Sequence, residues 1–180
     1  MLRFVTTNAG KAAEATEHLA ATANVEQVDY DYVEVQSDDL AEIASRGARD
    51  AYESLSGDDP VIVDDTGLFV RTLDGFPGPY AAYVQRTLGV ERVWDIVEST
   101  DDHRAAFRCV IAYADGDAVE TFEGRVQGTL VAPRGDGGFG YDPIFEYDGD
   151  TFAEMETAEK NAVSHRARAL SKLADWLAAE

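Results

Sequence analysis

The chain has 180 residues and a formal net charge of −20, with Lys+Arg 15 against Asp+Glu 35, which argues against DNA, RNA or an anionic membrane surface as its main partner. Hydrophobic residues at 45% and aromatics at 10% are too much core material for a disordered acidic tail, and the length suits a single domain over 1–180. The acids are spread along the whole chain, which reads as adaptation to a salt-rich cytoplasm, where at 1 M the screening length falls to about 3 Å.

The competing reading, an acidic calcium-binding protein, is weakened because no stretch has EF-hand loop spacing. No apolar h-region opens the chain and no apolar run approaches the ~20 residues of a membrane span, so a cytosolic protein is expected.

Leu2-Arg3-Phe4-Val5 reads as a strand and residues 12–21 as an alanine-rich helix. Between them lies Thr6-Thr7-Asn8-Ala9-Gly10-Lys11, which contains one of only three lysines in the chain. A run in this position presents backbone N–H groups and the positive end of a helix dipole to an anion, and Lys11 adds a full charge. It is not a Walker A loop: one glycine precedes the lysine, and Ala12 stands where Ser or Thr would hold magnesium. The plainer alternative is a strand-to-helix turn capped by Thr7 or Asn8, with Lys11 solvated.

Residues 25–36 are β-rich and include Glu34, a charge inside Tyr32-Val33-Glu34-Val35-Gln36. Glu34 is either a solvent-facing strand residue or a carboxylate placed for a metal. A helix is predicted over 38–55, then a buried strand at Val61-Ile62-Val63 that ends in Asp64-Asp65-Thr66-Gly67. Strand ends are common ligand sites in α/β sheets. Adjacent strand residues face opposite ways, so one of the two acids is expected to be catalytic and the other structural unless the strand breaks there.

Helices are predicted near 80–88 and 90–97. Asp115-Gly116 marks a hairpin that contains the lone Cys109 on its first arm, a core-filling residue that can build neither a disulfide nor a cysteine metal site. Gly135-Asp136-Gly137-Gly138-Phe139-Gly140-Tyr141-Asp142 reads as a loop whose glycines permit close backbone approach and whose Phe139 can stack on a flat ring, or as a flexible hairpin loop. The closing helix is predicted over 164–179, with Lys160, His165 and Arg166 as cations at its entrance. Cations are unfavourable at a helix N-terminus, so this placement asks for an anionic or carbonyl-bearing partner.

Four segments, Thr6 to Lys11, Asp64-Asp65-Thr66-Gly67-Leu68 with Gly75-Phe76-Pro77-Gly78, Gly138-Phe139-Gly140-Tyr141-Asp142-Pro143, and Ser164-His165-Arg166 with Ala169-Leu170, stand in the order and spacing of the Ham1/inosine triphosphate pyrophosphatase family, which the chain resembles over nearly its whole length. The resemblance implies an α/β fold with a mixed twisted β-sheet flanked by helices, in two lobes with a central cleft. It implies hydrolysis of ITP, dITP and XTP to the monophosphate and pyrophosphate, with Mg2+, in a homodimer, and the sequence looks like an archaeal-type member.

Residue by residue, the resemblance assigns the triphosphate to Thr6, Thr7, Asn8, Ala9, Gly10, Lys11 and Thr66, the metal to Glu34 and Asp65, and the general base to Asp65. It assigns the base and nearby sugar to Phe139, Gly140, Tyr141 and Asp142, with Lys160, His165 and Arg166 completing that pocket. A fixed Arg166 donor would be paired by the 6-oxo group of hypoxanthine or xanthine and left unpaired by adenine. The chain departs from the family pattern at Thr66, where serine is common, and at Tyr80-Ala81-Ala82-Tyr83, which lacks the usual hydroxyl after the Pro-Gly turn. A nucleotide sensor without turnover and a hydrolase acting at the γ-phosphate are the rival readings.

Overall fold

The computed structural model describes residues 1–55 and 57–179. Its strands are β1 (Leu2–Val5), β2 (Val25–Val28), β3 (Val61–Val70), β4 (Pro77–Gly78), β5 (Arg104–Ala114), β6 (Val119–Leu130), β7 (Phe145–Tyr147) and β8 (Asp150–Thr151). Its α-helices are α1 (Ala9–Leu19), α2 (Leu40–Ser54), α3 (Ala81–Thr87), α4 (Val90–Val97), α5 (Thr157–Val163) and α6 (His165–Leu177). The eight strands form one sheet in the order β2-β1-β3-β5-β6-β7-β8, with β4 also paired to β3. β1 runs parallel to β2 and β3, whereas β4 is antiparallel to β3 and β7 is antiparallel to both β6 and β8, so the sheet is mixed as expected.

By chain contacts the molecule divides into two compact units, and β3, β5 and β6 contribute residues to both. The first comprises Met1–Asp65, Cys109–Gly124 and His165–Glu180. Its core packs Leu2, Phe4, Ala15 and Leu19 with Ile62, Ile111, Leu170 and Leu173, all essentially sealed from solvent. Cys109 is buried in this core, in the filling role its sequence position implies. Gly124 on β6 lets α6 approach closely: a Cβ there would lie 1.9 Å from the His165 carbonyl oxygen and 2.5 Å from the Ala169 nitrogen. No larger residue fits that contact without moving α6, the helix that carries Arg166.

The second unit comprises Thr66–Arg108 and Arg125–Ser164. Its core gathers Leu68, Val70, Val84, Val93 and Val97 around a ring cluster in which Phe107 and Phe145 lie 4.6 Å apart and Phe145 and Phe152 lie 5.0 Å apart.

Two expectations about strands are corrected. The β-rich stretch 25–36 is a strand only over Val25–Val28, and residues 29–37 have neither strand nor helix structure. Side chains hold that segment instead of a β ladder: the Tyr30 hydroxyl donates to Asp50 Oδ2 at 3.0 Å, and the Tyr32 ring lies against Gly47. The strand that begins at Val61 does not end at the paired acids but runs unbroken to Val70. It is held along its length, by β1 at Val61 and Ile62 and by β4 at Leu68 and Phe69. Val61 through Asp64 are all buried, the pattern of a strand covered on both faces.

Candidate active site

The turn after β1 folds as a capped helix start. Asn8 is the N-cap of α1, its Oδ1 accepting from the backbone N–H of Gly10 at 2.9 Å and of Lys11 at 3.3 Å. The Thr6 hydroxyl oxygen accepts from the Asn8 N–H at 3.1 Å, which sets the direction in which the chain enters the helix. Thr7, Asn8, Ala9 and Gly10 remain exposed. Lys11, one turn in, points its ammonium to Asp64 Oδ1 at 2.9 Å.

Asp64 is the hub of this cluster. Its other oxygen, Oδ2, accepts from Arg166 Nε at 3.0 Å and faces the Cys109 thiol at 3.9 Å. Arg166 in turn donates from Nη1 to Glu14 Oε2 at 3.0 Å. Two carboxylates and two cations, all at least largely buried, thus alternate as Lys11, Asp64, Arg166 and Glu14. Burial alone would raise the Asp64 carboxyl, but the charges and hydrogen bonds of Lys11 and Arg166 outweigh it and hold it at about 2. Burial likewise works against the Arg166 charge, and Asp64 and Glu14 more than restore it, so the guanidinium is held above its ordinary value. The anionic partner that a cation at the start of α6 asks for is supplied by the protein itself.

Glu14 escaped the sequence reading. Its one signal is an acid three residues after Lys11, hence on a neighbouring position of the same helix face.

Because β3 is unbroken, Asp65 projects to the face opposite Asp64. The half-buried Tyr32 phenol has its pKa pushed well above the usual tyrosine value, first by burial and then by the charges of Glu34, Asp65 and Asp64 in that order. The charges of Glu34, Asp65 and Asp64 are thus all felt at the Tyr32 phenol, and Glu34 stands on an irregular segment and is exposed. The next hydroxyl along β3, Thr66 Oγ1, is buried with no hydrogen-bond partner among the described residues, and such a group is costly unless a ligand or water meets it.

Among the described residues no three His, Cys, Asp or Glu side chains converge into a ready metal shell. Glu34 and Asp65 offer oxygen donors only, in a small number. That donor set fits magnesium, which keeps several waters and relies on one or two carboxylates plus substrate phosphates.

A second cluster lies wholly in the other unit. Gly138 and Gly140 take positive φ of 69° and 66° on either side of Phe139, whose ring is 63% exposed. The Phe139 N–H donates to Asp142 Oδ2 at 2.7 Å, and the Lys160 ammonium donates to the same oxygen. A Cβ on Gly138 would fall 2.3 Å from that oxygen, so the turn depends on glycine there. Lys160 also sits 4.4 Å from the Phe139 ring centroid, a cation–π contact that fixes one side of the ring.

The Tyr141 hydroxyl donates to the Ala81 carbonyl at 2.8 Å and is buried, which pushes its pKa up to about 12 and ties the loop to α3. Lys160 is therefore placed with Asp142 and Phe139, two of the base-end residues with which the family resemblance grouped it. His165 is buried at the first position of α6.

Comparison with known proteins agrees with this architecture. A dITP/XTP pyrophosphatase of Methanopyrus kandleri is 48% identical over 178 residues, covering 96% of this chain and 94% of that protein. An inosine triphosphate pyrophosphatase of Tuber melanosporum is 41% identical over 181 residues, covering 99% and 97%. The solved structure of a HAM1 protein from Coxiella burnetii superposes with a TM-score of 0.88 at 30% identity, covering 99% of this chain and 98% of that one. The Ham1 family profile matches residues 2–176, a span that takes in the Lys11–Asp64–Arg166 cluster and the Phe139 loop alike, and the chain belongs to the Ham1 family.

Proposed function

We propose that this protein is a nucleoside triphosphate pyrophosphatase that cleaves ITP, dITP and XTP to the nucleoside monophosphate and pyrophosphate, and so removes deaminated purines from the nucleotide pool. The observation that carries the reading is family membership along 2–176, with relatives named for this activity at 41% and 48% identity over 97% and 94% of their length.

The chemistry is apportioned between the two clusters. The turn from Thr6 to Lys11, with the Thr66 hydroxyl, binds the triphosphate. Lys11 arrives there already aimed by Asp64, so little side-chain entropy is lost when phosphate binds. Phe139 offers an exposed ring on which a purine stacks, held by Lys160 and Asp142. Arg166, clamped through Nε and Nη1 by two carboxylates, has the fixed direction that recognition of a 6-oxo acceptor demands.

A magnesium ion held by Glu34 and Asp65 would supply Lewis-acid neutralisation of the phosphate charge. The Asp65 carboxylate takes a proton from the water that attacks the α-phosphorus in line; the bond from that phosphorus to the bridging oxygen breaks and pyrophosphate departs. Positioning and electrostatics do most of the rest. The protein works as a homodimer in a salt-rich cytoplasm.

The test is turnover of ITP in 18O-water with magnesium in molar KCl. The expected products are pyrophosphate without label and IMP carrying one labelled oxygen. Label in pyrophosphate would place attack at the β-phosphorus, and release of IDP and phosphate would make the enzyme a γ-phosphatase.

A further inference from the structure

The segment 29–37 has no backbone ladder, yet it is fastened to α2 at three points that run in opposite directions along the two pieces of chain. The Tyr30 hydroxyl donates to Asp50 Oδ2 at 3.0 Å. The Tyr32 ring is seated on Gly47, so closely that a Cβ there would fall 2.6 Å from Cε2, 2.9 Å from Cζ and 3.0 Å from Cδ2. The Ser37 hydroxyl donates to Glu42 Oε2 at 2.8 Å and accepts from the Asp39 N–H at 3.1 Å, at the capped start of α2.

Glu34 lies between the second and third fastenings. Its side chain is exposed and its segment belongs to no sheet, so nothing in regular secondary structure fixes it near Asp65. Left loose, it would have to be ordered by the metal, at the expense of metal affinity.

We infer that Tyr32 and the notch at Gly47 that receives its ring, together with Tyr30, are positioning residues that hold Glu34 ready for a divalent cation. The inference rests on the reading of Glu34 and Asp65 as the metal carboxylates. Gly47 is the informative site because its role is one of space. It lies in the interior of α2, where alanine is the better helix former, so Gly47→Ala favours the helix while evicting the ring.

The experiment titrates manganese(II) into the full-length protein without nucleotide and follows the free ion by electron paramagnetic resonance, alongside thermal unfolding. Gly47→Ala is expected to weaken manganese binding about tenfold, the scale on which groups that orient a metal ligand act, without a lower Tm. Tyr32→Ala should weaken it similarly with no volume added to α2. Tyr32→Phe, which keeps the ring, should bind nearly as the parent does. In the double variant Gly47→Ala/Tyr32→Ala the loss should be no greater than in Tyr32→Ala alone, because the colliding ring is gone.

Parent-like manganese affinity in both Gly47→Ala and Tyr32→Ala, with Glu34→Gln weakened, overturns the positioning role and leaves the metal reading intact. Parent-like affinity in Glu34→Gln overturns the metal reading itself, and the inference with it.

Discussion

Asp64 and Asp65 show how much two adjacent, chemically identical residues can differ. Asp64 is engaged by Lys11 and Arg166 inside the protein, whereas Asp65 projects to the other face of β3. Asp65→Asn is expected to lower kcat at least ~10²-fold with little change in Tm, because it removes the proposed proton acceptor. Asp64→Asn is expected to act on stability. The Asp64 carboxyl is depressed from 3.8 in the unfolded chain to about 2 in the fold, so its contribution is fully present above pH 4 and is lost as pH falls toward 2. The size is about 2 kcal/mol. Acid titration of unfolding checks this: the parent should lose stability between pH 4 and 2 more steeply than Asp64→Asn, and parallel curves would contradict the pairing.

Arg166 calls for a ratio rather than a rate, since Arg166→Ala removes the guanidinium shared by Glu14 and Asp64, leaves Asp64 only its Lys11 pairing, costs about 3–5 kcal/mol and will reduce the folded fraction. The ratio of kcat/KM for ITP to that for ATP is independent of that fraction. It is expected to fall in Arg166→Ala and to hold in Lys11→Ala, because the proposed partner of Lys11 is the phosphate chain common to both nucleotides. The opposite pattern would move purine recognition away from Arg166.

At the scale of elements, the sequence is read best where one local signal suffices. Both helices at 81–87 and 90–97 and the strand at Leu2–Val5 fall where hydrophobic periodicity puts them. Asn8 caps α1, as one of the two caps the sequence offers, and Asp115-Gly116 sits between β5 and β6 with Gly116 at φ 95°. The misreadings share a cause. β-branched and aromatic residues over 29–36 have strand propensity, but a strand needs a partner edge, and here α2 offers tyrosine seats instead. Carboxylates and a glycine after Val63 look like a strand end. They are interior because Lys11 and Arg166 neutralise the buried acid and β4 pairs the strand beyond it.

For the whole molecule the governing quantity is the charge of −20. At 0.1 M salt the screening length is about 10 Å and like charges repel across much of the surface; at 1 M it is about 3 Å and they do not. Tm is expected to rise with KCl from 0.1 to 1 M, by about 2–4 °C for each kcal/mol of repulsion screened, and KM for ITP to fall as the field opposing a triphosphate is removed. A Tm that declines over this range would count against adaptation to salt.

Family and reaction class were legible in the sequence alone, because a nucleotide site is built from short motifs whose residue types and order survive without coordinates. Only tertiary structure decided who pairs with whom. The 102 positions between Asp64 and Arg166, and the 152 between Glu14 and Arg166, are closed by packing of α1, β3 and α6 in one core, and Gly124, having no side chain, lets α6 lie close on β6. Separation along the chain carries no information about such pairs: burial selects them, since a charge removed from water must find its counter-charge wherever the fold brings one.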